Sequence, residues 1–155
     1  MTRWMRGIAF ATLLALGCAG TMAATFRVDD TGTVVSQPVT PMRWRQLVPS
    51  RNADHTVEGR LNVALRLKLS AWVNRPARIY MVLAPTEGQR LSATWRTQGR
   101  LLPGALRGGD RAVVFDGLVR DAFLTETLEL SLMADGRLLT RMQSLHFHFE
   151  IEVSP

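Results

Sequence analysis

The chain has 155 residues, 46% of them apolar, which is enough for one domain around one core and too little for a second. Its formal net charge is +6, but the 19 basic residues are scattered without a run, which argues against a nucleic-acid-binding function. The single cysteine, Cys18, lies in the opening segment, so no disulfide framework holds the rest together.

Residues 1–24 read as a secretory signal: Arg3 and Arg6 supply positive charge, "IAFATLLALG" supplies the apolar stretch, and the small residues of "CAGTMAA" follow. The apolar stretch from Ile8 to Gly17 falls well short of the roughly 20 residues needed to span a bilayer. Thr21 and Ala23 favour cleavage close to Ala24, which predicts an exported chain. A competing and weaker reading takes "LALGC" as a lipobox with Cys18 acylated; Leu16 stands one place too close to the cysteine for the usual pattern.

Residues 25–55 are polar and punctuated, with Pro38, Pro41 and Pro49 spaced too closely for a long element, so an N-terminal arm with short edge segments is predicted. Periodic sequence begins at Thr56 and continues to residue 155 as a single sandwich domain with the arm. In "RLNVALRLKLSAWV", Leu61, Val63, Leu65, Leu67 and Leu69 fall on one side and Asn62, Arg66, Lys68 and Ser70 on the other, a strand of period two. The same pattern holds for Ile79, Met81 and Leu83 in "RIYMVLA" and for Leu91, Ala93 and Trp95 in "RLSATWRT", with Trp95 predicted in the core. Turn chemistry in "NRP", "PTEGQ" and "QG" bounds them, and "RGGD" separates "GRLLPGAL" from "RAVVFDG".

In "DAFLTETLELSLMA" the alternation of Leu128, Leu130 and Leu132, with threonine between, favours a strand over a short helical turn at residues 121–126. Asp135-Gly136 then predicts a type I′ hairpin into "RLLTRMQ", because both central residues of that turn take positive φ. The last element, "LHFHFEIEV", alternates without a break. About seven short strands at spacings of about ten residues, with no long helix, predict an all-β fold: an immunoglobulin-like antiparallel β-sandwich.

No nucleophile string or metal-binding string is present, and an enzyme is not predicted: catalytic, cofactor-binding and metal residues are none. His55 and Asp54 read as a solvated loop pair. His146 and His148 share one face with Glu150 and Glu152, but a pitch of about 3.3 Å per residue sets Glu150 about 13 Å from His146, so one strand supplies at most two adjacent ligands. These side chains read as the solvent face of a half-buried strand. Arg66 and Lys68 offer opposite charges, which predicts that strands 61–69 and 145–153 are sheet neighbours. Trp44 and Trp72 read as partly exposed, the alternative being a sugar-stacking platform.

The strings "LNVALRLKLSAWV", "GRLLPGALRGGDRAVVFDG" and "LHFHFEIEV", behind a signal and without a cysteine in the mature chain, resemble the subunits of alternate chaperone-usher fimbriae, the colonisation-factor-antigen type of pilin. The resemblance implies a sandwich that lacks its final strand until complemented, exposing a groove that a periplasmic chaperone fills and that the arm of the next subunit fills later. Leu145, Phe147, Phe149, Ile151 and Val153 would then wall the groove, with the C-terminal carboxylate of Pro155 anchored by the chaperone. The donor residues would be Phe26 and Val28, or Val35 and Val39 around Pro38. It further implies a structural, non-enzymatic protein that passes through the periplasm to the cell surface. Its partners would be a chaperone, an outer-membrane usher and other subunits, with no cofactor, nucleic acid or small-molecule substrate. The alternative from the residues themselves is a self-contained periplasmic or lipid-anchored sandwich that binds a sugar or a protein.

Overall fold

The computed structural model describes residues 24–37, 39–46, 54–85, 91–139 and 145–153. Residues 1–23 of the expected signal, with Cys18, the "PTEGQ" segment beyond Pro85 and the C-terminal Pro155 lie outside them, while Ala24 opens the first strand. The fold is all-β: two antiparallel sheets packed face to face, with ten strands and one 3-10 turn, at Ser70–Trp72, among the described residues. In chain order the strands are β1 (Ala24–Arg27), β2 (Val34–Val35), β3 (Arg43–Trp44), β4 (Thr56–Lys68), β5 (Pro76–Leu83), β6 (Ser92–Arg96), β7 (Gly104–Arg107), β8 (Arg111–Leu118), β9 (Phe123–Asp135) and β10 (Phe147–Val153). The first sheet runs β1-β10-β5-β8; the second runs β2-β4-β9-β6-β7, with β3 also pairing β4.

Alternation in the sequence becomes two facing apolar layers. The second sheet turns Val63, Leu65, Leu67, Leu128, Leu130 and Leu132 inward, and the first meets them with Ile79, Met81, Leu83, Phe149, Ile151 and Val153. Burying each such side chain stabilises the fold by about 1.5–3 kcal/mol, and among the described residues no polar or charged side chain is buried with them. Leu61, assigned to the same inward row, is only partly buried. Strands β4 and β9 form the spine, in register without a break from Thr56↔Asp135 to Lys68↔Phe123. Trp95 is buried as predicted and its indole N–H donates to the Leu102 carbonyl at 2.9 Å, so the loop after β6 is fastened to the core.

Two expectations are corrected. Asp135-Gly136 does not form a type I′ hairpin, since Gly136 is not among the positive-φ residues. The Asp135 carboxylate instead accepts bonds from the Arg137 backbone N–H at 3.0 Å and from its guanidinium, and the Leu138 N–H donates to the Asp135 carbonyl. A local Asx turn has taken the backbone partners that a hairpin ladder needs. Trp44 lies over this turn, where a Cβ on Gly136 would come within 2.5 Å of its ring.

Second, β4 and β10 are not neighbours: they belong to opposite sheets, so Arg66 and Lys68 do not face Glu150 and Glu152. Two alternating strands carry the same signature whether they share a sheet or face each other across the core. The strand reading of residues 121–135 holds in place of the helical alternative: Asp121 and Ala122 bend and β9 starts at Phe123. "RGGD" does turn the chain, with Gly109 at φ +90°, but it leads from β7 in one sheet to β8 in the other.

Candidate functional site

Strand β10 has one fully paired edge and one thinly covered edge. On the first, β5 pairs with every residue from Phe147↔Leu83 to Val153↔Ala77. On the second, β1 pairs only from Arg27↔Glu150 to Ala24↔Val153, and the Val28 N–H adds a bond to the Phe149 carbonyl at 2.8 Å. Phe149, Ile151 and Val153 are buried, while Leu145 and Phe147 are half-buried. The row is therefore sealed beside the arm and looser where the arm has already left.

Phe26 and Val28, on the arm, are brought to β10. Val28 is buried; Phe26 stays 47% exposed and packs against Trp72 with ring centroids 6.0 Å apart. Val35 and Val39 are not brought there: Val35 pairs with Val63 in the second sheet and Val39 is exposed. The arm changes sheets at Asp29, which bridges to Lys68, the Lys68 N–H donating to the Asp29 carbonyl at 2.9 Å.

The outward face of β10 carries a polar network. Glu152 accepts from the Tyr80 hydroxyl at 2.9 Å, from the Arg111 guanidinium at 2.8 Å and, at 3.5 Å, from the Thr25 hydroxyl on the arm. Arg111 also lies over the Tyr80 ring at 4.3 Å and stands 3.7 Å from Glu150, whose carboxylate is 3.3 Å from His148. The bonds from Tyr80 and Arg111 hold the Glu152 carboxyl below its ordinary range, and burial, then the bond to Glu152, pushes the Tyr80 phenol up. Sequence reasoning missed Tyr80, Arg111 and Thr25. Their signal was the outward parity of Tyr80 and Arg111 in their strands, but nothing local said that β5 flanks β10 and that β8 lies next beyond it.

Among the described residues no group of three or more His, Cys, Asp or Glu side chains is placed to hold a metal ion. His55 lies in an open cleft of about 440 Å³ with Arg45, Asp54, Asp135 and Arg137. There Arg137 holds the Asp135 carboxyl at about 2, and the bond from Thr56 lowers that of Asp54. Trp44 is 48% exposed and Trp72 half-buried. Compared with known protein families, curated proteins and solved structures, the chain has no match.

Proposed function

We propose that the protein is a structural subunit of a bacterial surface fimbria, exported to the periplasm and assembled there by exchange of its N-terminal arm between copies. A periplasmic chaperone and an outer-membrane usher are the partners this reading requires, and neither a cofactor nor a small substrate enters it. The observation that carries it is the imbalance at β10: seven residues paired on the β5 side against four on the arm side. Each backbone hydrogen bond contributes about 0.5–1.5 kcal/mol net, so the arm's own ladder holds by a few kcal/mol and a longer strand from a neighbour would outcompete it. The exchanged segment is the one around Phe26 and Val28: Val28 supplies its buried side chain, and Phe26, in register with Ile151, stays partly exposed beside Trp72.

A second reading, a self-contained exported sandwich that binds a sugar or a protein, is favoured by the arm reaching β10 of its own copy. One experiment separates them. The full chain, concentrated and run on an unboiled denaturing gel, is expected to give a ladder of multimers, and Val28→Asp to give monomer alone. Monomer from both chains, unaltered by an excess of a peptide spanning residues 24–30, would favour the second reading.

A further inference from the structure

At one end of the sandwich, beside the Asp29–Lys68 bridge where the arm changes sheets, the chain also crosses after β4 and after β8. The crossings are bonded to each other: the Leu69 N–H to the Ala122 carbonyl at 2.7 Å, the Asn74 N–H to the Val119 carbonyl at 2.8 Å, and the Val119 N–H to the Arg75 carbonyl at 3.0 Å. Large apolar side chains stay in solvent around this closure. Leu118 is 46% exposed, Phe123 40% and Phe26 47%, the last against the half-buried ring of Trp72. Single exposed side chains of this kind are ordinary, but a group gathered at one end is not.

The same end is basic. Arg27, Arg66, Lys68 and Arg120 are all exposed, with Arg66 lying 4.4 Å over the Phe123 ring. The acidic neighbours Asp121 and Asp116 are engaged by Arg100 and Arg78, Glu150 lies in register with Arg27, and Asp29, which bridges to Lys68, already accepts the Thr31 N–H. Residues 1–23, with their apolar stretch from Ile8 to Gly17, join the domain here, because Ala24 pairs with Val153 and Val153 with Ala77 beside the closure. Aromatic rings ringed by cations match the headgroup layer of a membrane, where rings take the interface and guanidinium groups meet phosphate.

We propose that this end docks on the surface of a bilayer rich in anionic phospholipid, through Phe26, Trp72, Leu118 and Phe123 with Arg66, Lys68 and Arg120. Trp72, Leu118, Phe123, Arg66, Lys68 and Arg120 lie outside the exchanged arm, so docking holds whether the chain is a fibre subunit or a self-contained module, with Phe26 part of it while the arm stays on its own copy. Each cation near an anionic surface raises partitioning by about fivefold, so removal of two is felt by more than a factor of about twenty.

The test is flotation of the full chain with vesicles of phosphatidylcholine alone or mixed with an equal part of phosphatidylglycerol. The full chain is expected to float with the mixed vesicles and at least about fivefold less with the neutral ones. Lys68→Glu with Arg120→Glu is expected to lower binding to mixed vesicles by more than about twentyfold, and Leu118→Ser with Phe123→Ser to remove the part that survives high salt. Circular dichroism checks each pair for folding, and where one pair unfolds the other decides. Absence of flotation, equal flotation with both vesicles, binding untouched by a folded pair, or self-association through this end in place of vesicle binding each overturns the proposal. Binding untouched by the substitutions would assign it to residues 1–23.

Discussion

Glu126 occupies an inward position of β9, opposite the buried Leu65, where the alternation of Leu124, Leu128 and Leu130 calls for another apolar side chain. It is tolerated because its carboxylate bends into the loop after β6 and accepts the backbone N–H groups of Gly99 at 2.9 Å, Arg100 at 2.9 Å and Leu101 at 3.1 Å, together with the Thr97 hydroxyl. The fit is close: a Cβ on Gly99 would fall 2.6 Å from the carboxylate. Removing the acceptor leaves those donors without partners, so Glu126→Ala is expected to destabilise the fold by about 2–3 kcal/mol. Glu126→Gln, which keeps one acceptor oxygen, should cost less. Urea unfolding reads both, and an unmoved midpoint for Glu126→Ala would mean that water serves the loop equally well.

Each strand is held in proportion to its pairing. β4 and β9 share thirteen residues of ladder with the core on one face, whereas β2 and β3 hold on to β4 by two residues each and keep Val34 and Trp44 exposed. Local opening free energies follow such differences. Amide hydrogen exchange is therefore expected to be slowest at the centre of β4 and β9, intermediate in β1, and fastest in β2 and β3. Protection of β1 equal to that of β9 would show that the arm opens only with the whole domain. The element scale is also where the sequence was most legible. A period of two reports which side of a strand faces the core, and it placed Leu65, Ile79, Ala93 and Trp95 correctly. It does not report which sheet a strand joins, and so Arg66 and Glu152, complementary on paper, ended on opposite layers. Asp135-Gly136 failed for a nearer reason: Arg137, a residue beyond the pair, supplied the carboxylate with a better partner than a hairpin could.

For the whole molecule, acid is the condition that probes its charge network. Asp135 titrates at about 2 in the fold against 3.8 ordinarily, and Glu152 is lowered from 4.5. A carboxyl lowered by folding contributes stability that is present above its unfolded value and is lost as pH falls through its folded value. Stability is thus expected to begin falling below about pH 4.5 and to keep falling toward pH 2. Asp135→Asn should flatten the lower part of that profile and Glu152→Gln the upper part. Thermal midpoints at intervals of pH read the difference, and identical profiles for all three chains would remove both groups from the account.

The rung between Ala24 and Val153 puts the arm's start beside the end of the last strand, on the same rim of the sandwich. Tension applied between these two points runs across the β1–β10 ladder and not along it, so the rungs bear load one after another, as in an opening zipper. The sandwich behind them, its layers interlocked through Leu65, Leu128, Ile79 and Ile151, is not asked to shear. Under tension the arm is the part that gives first, while the rest of the molecule keeps its shape.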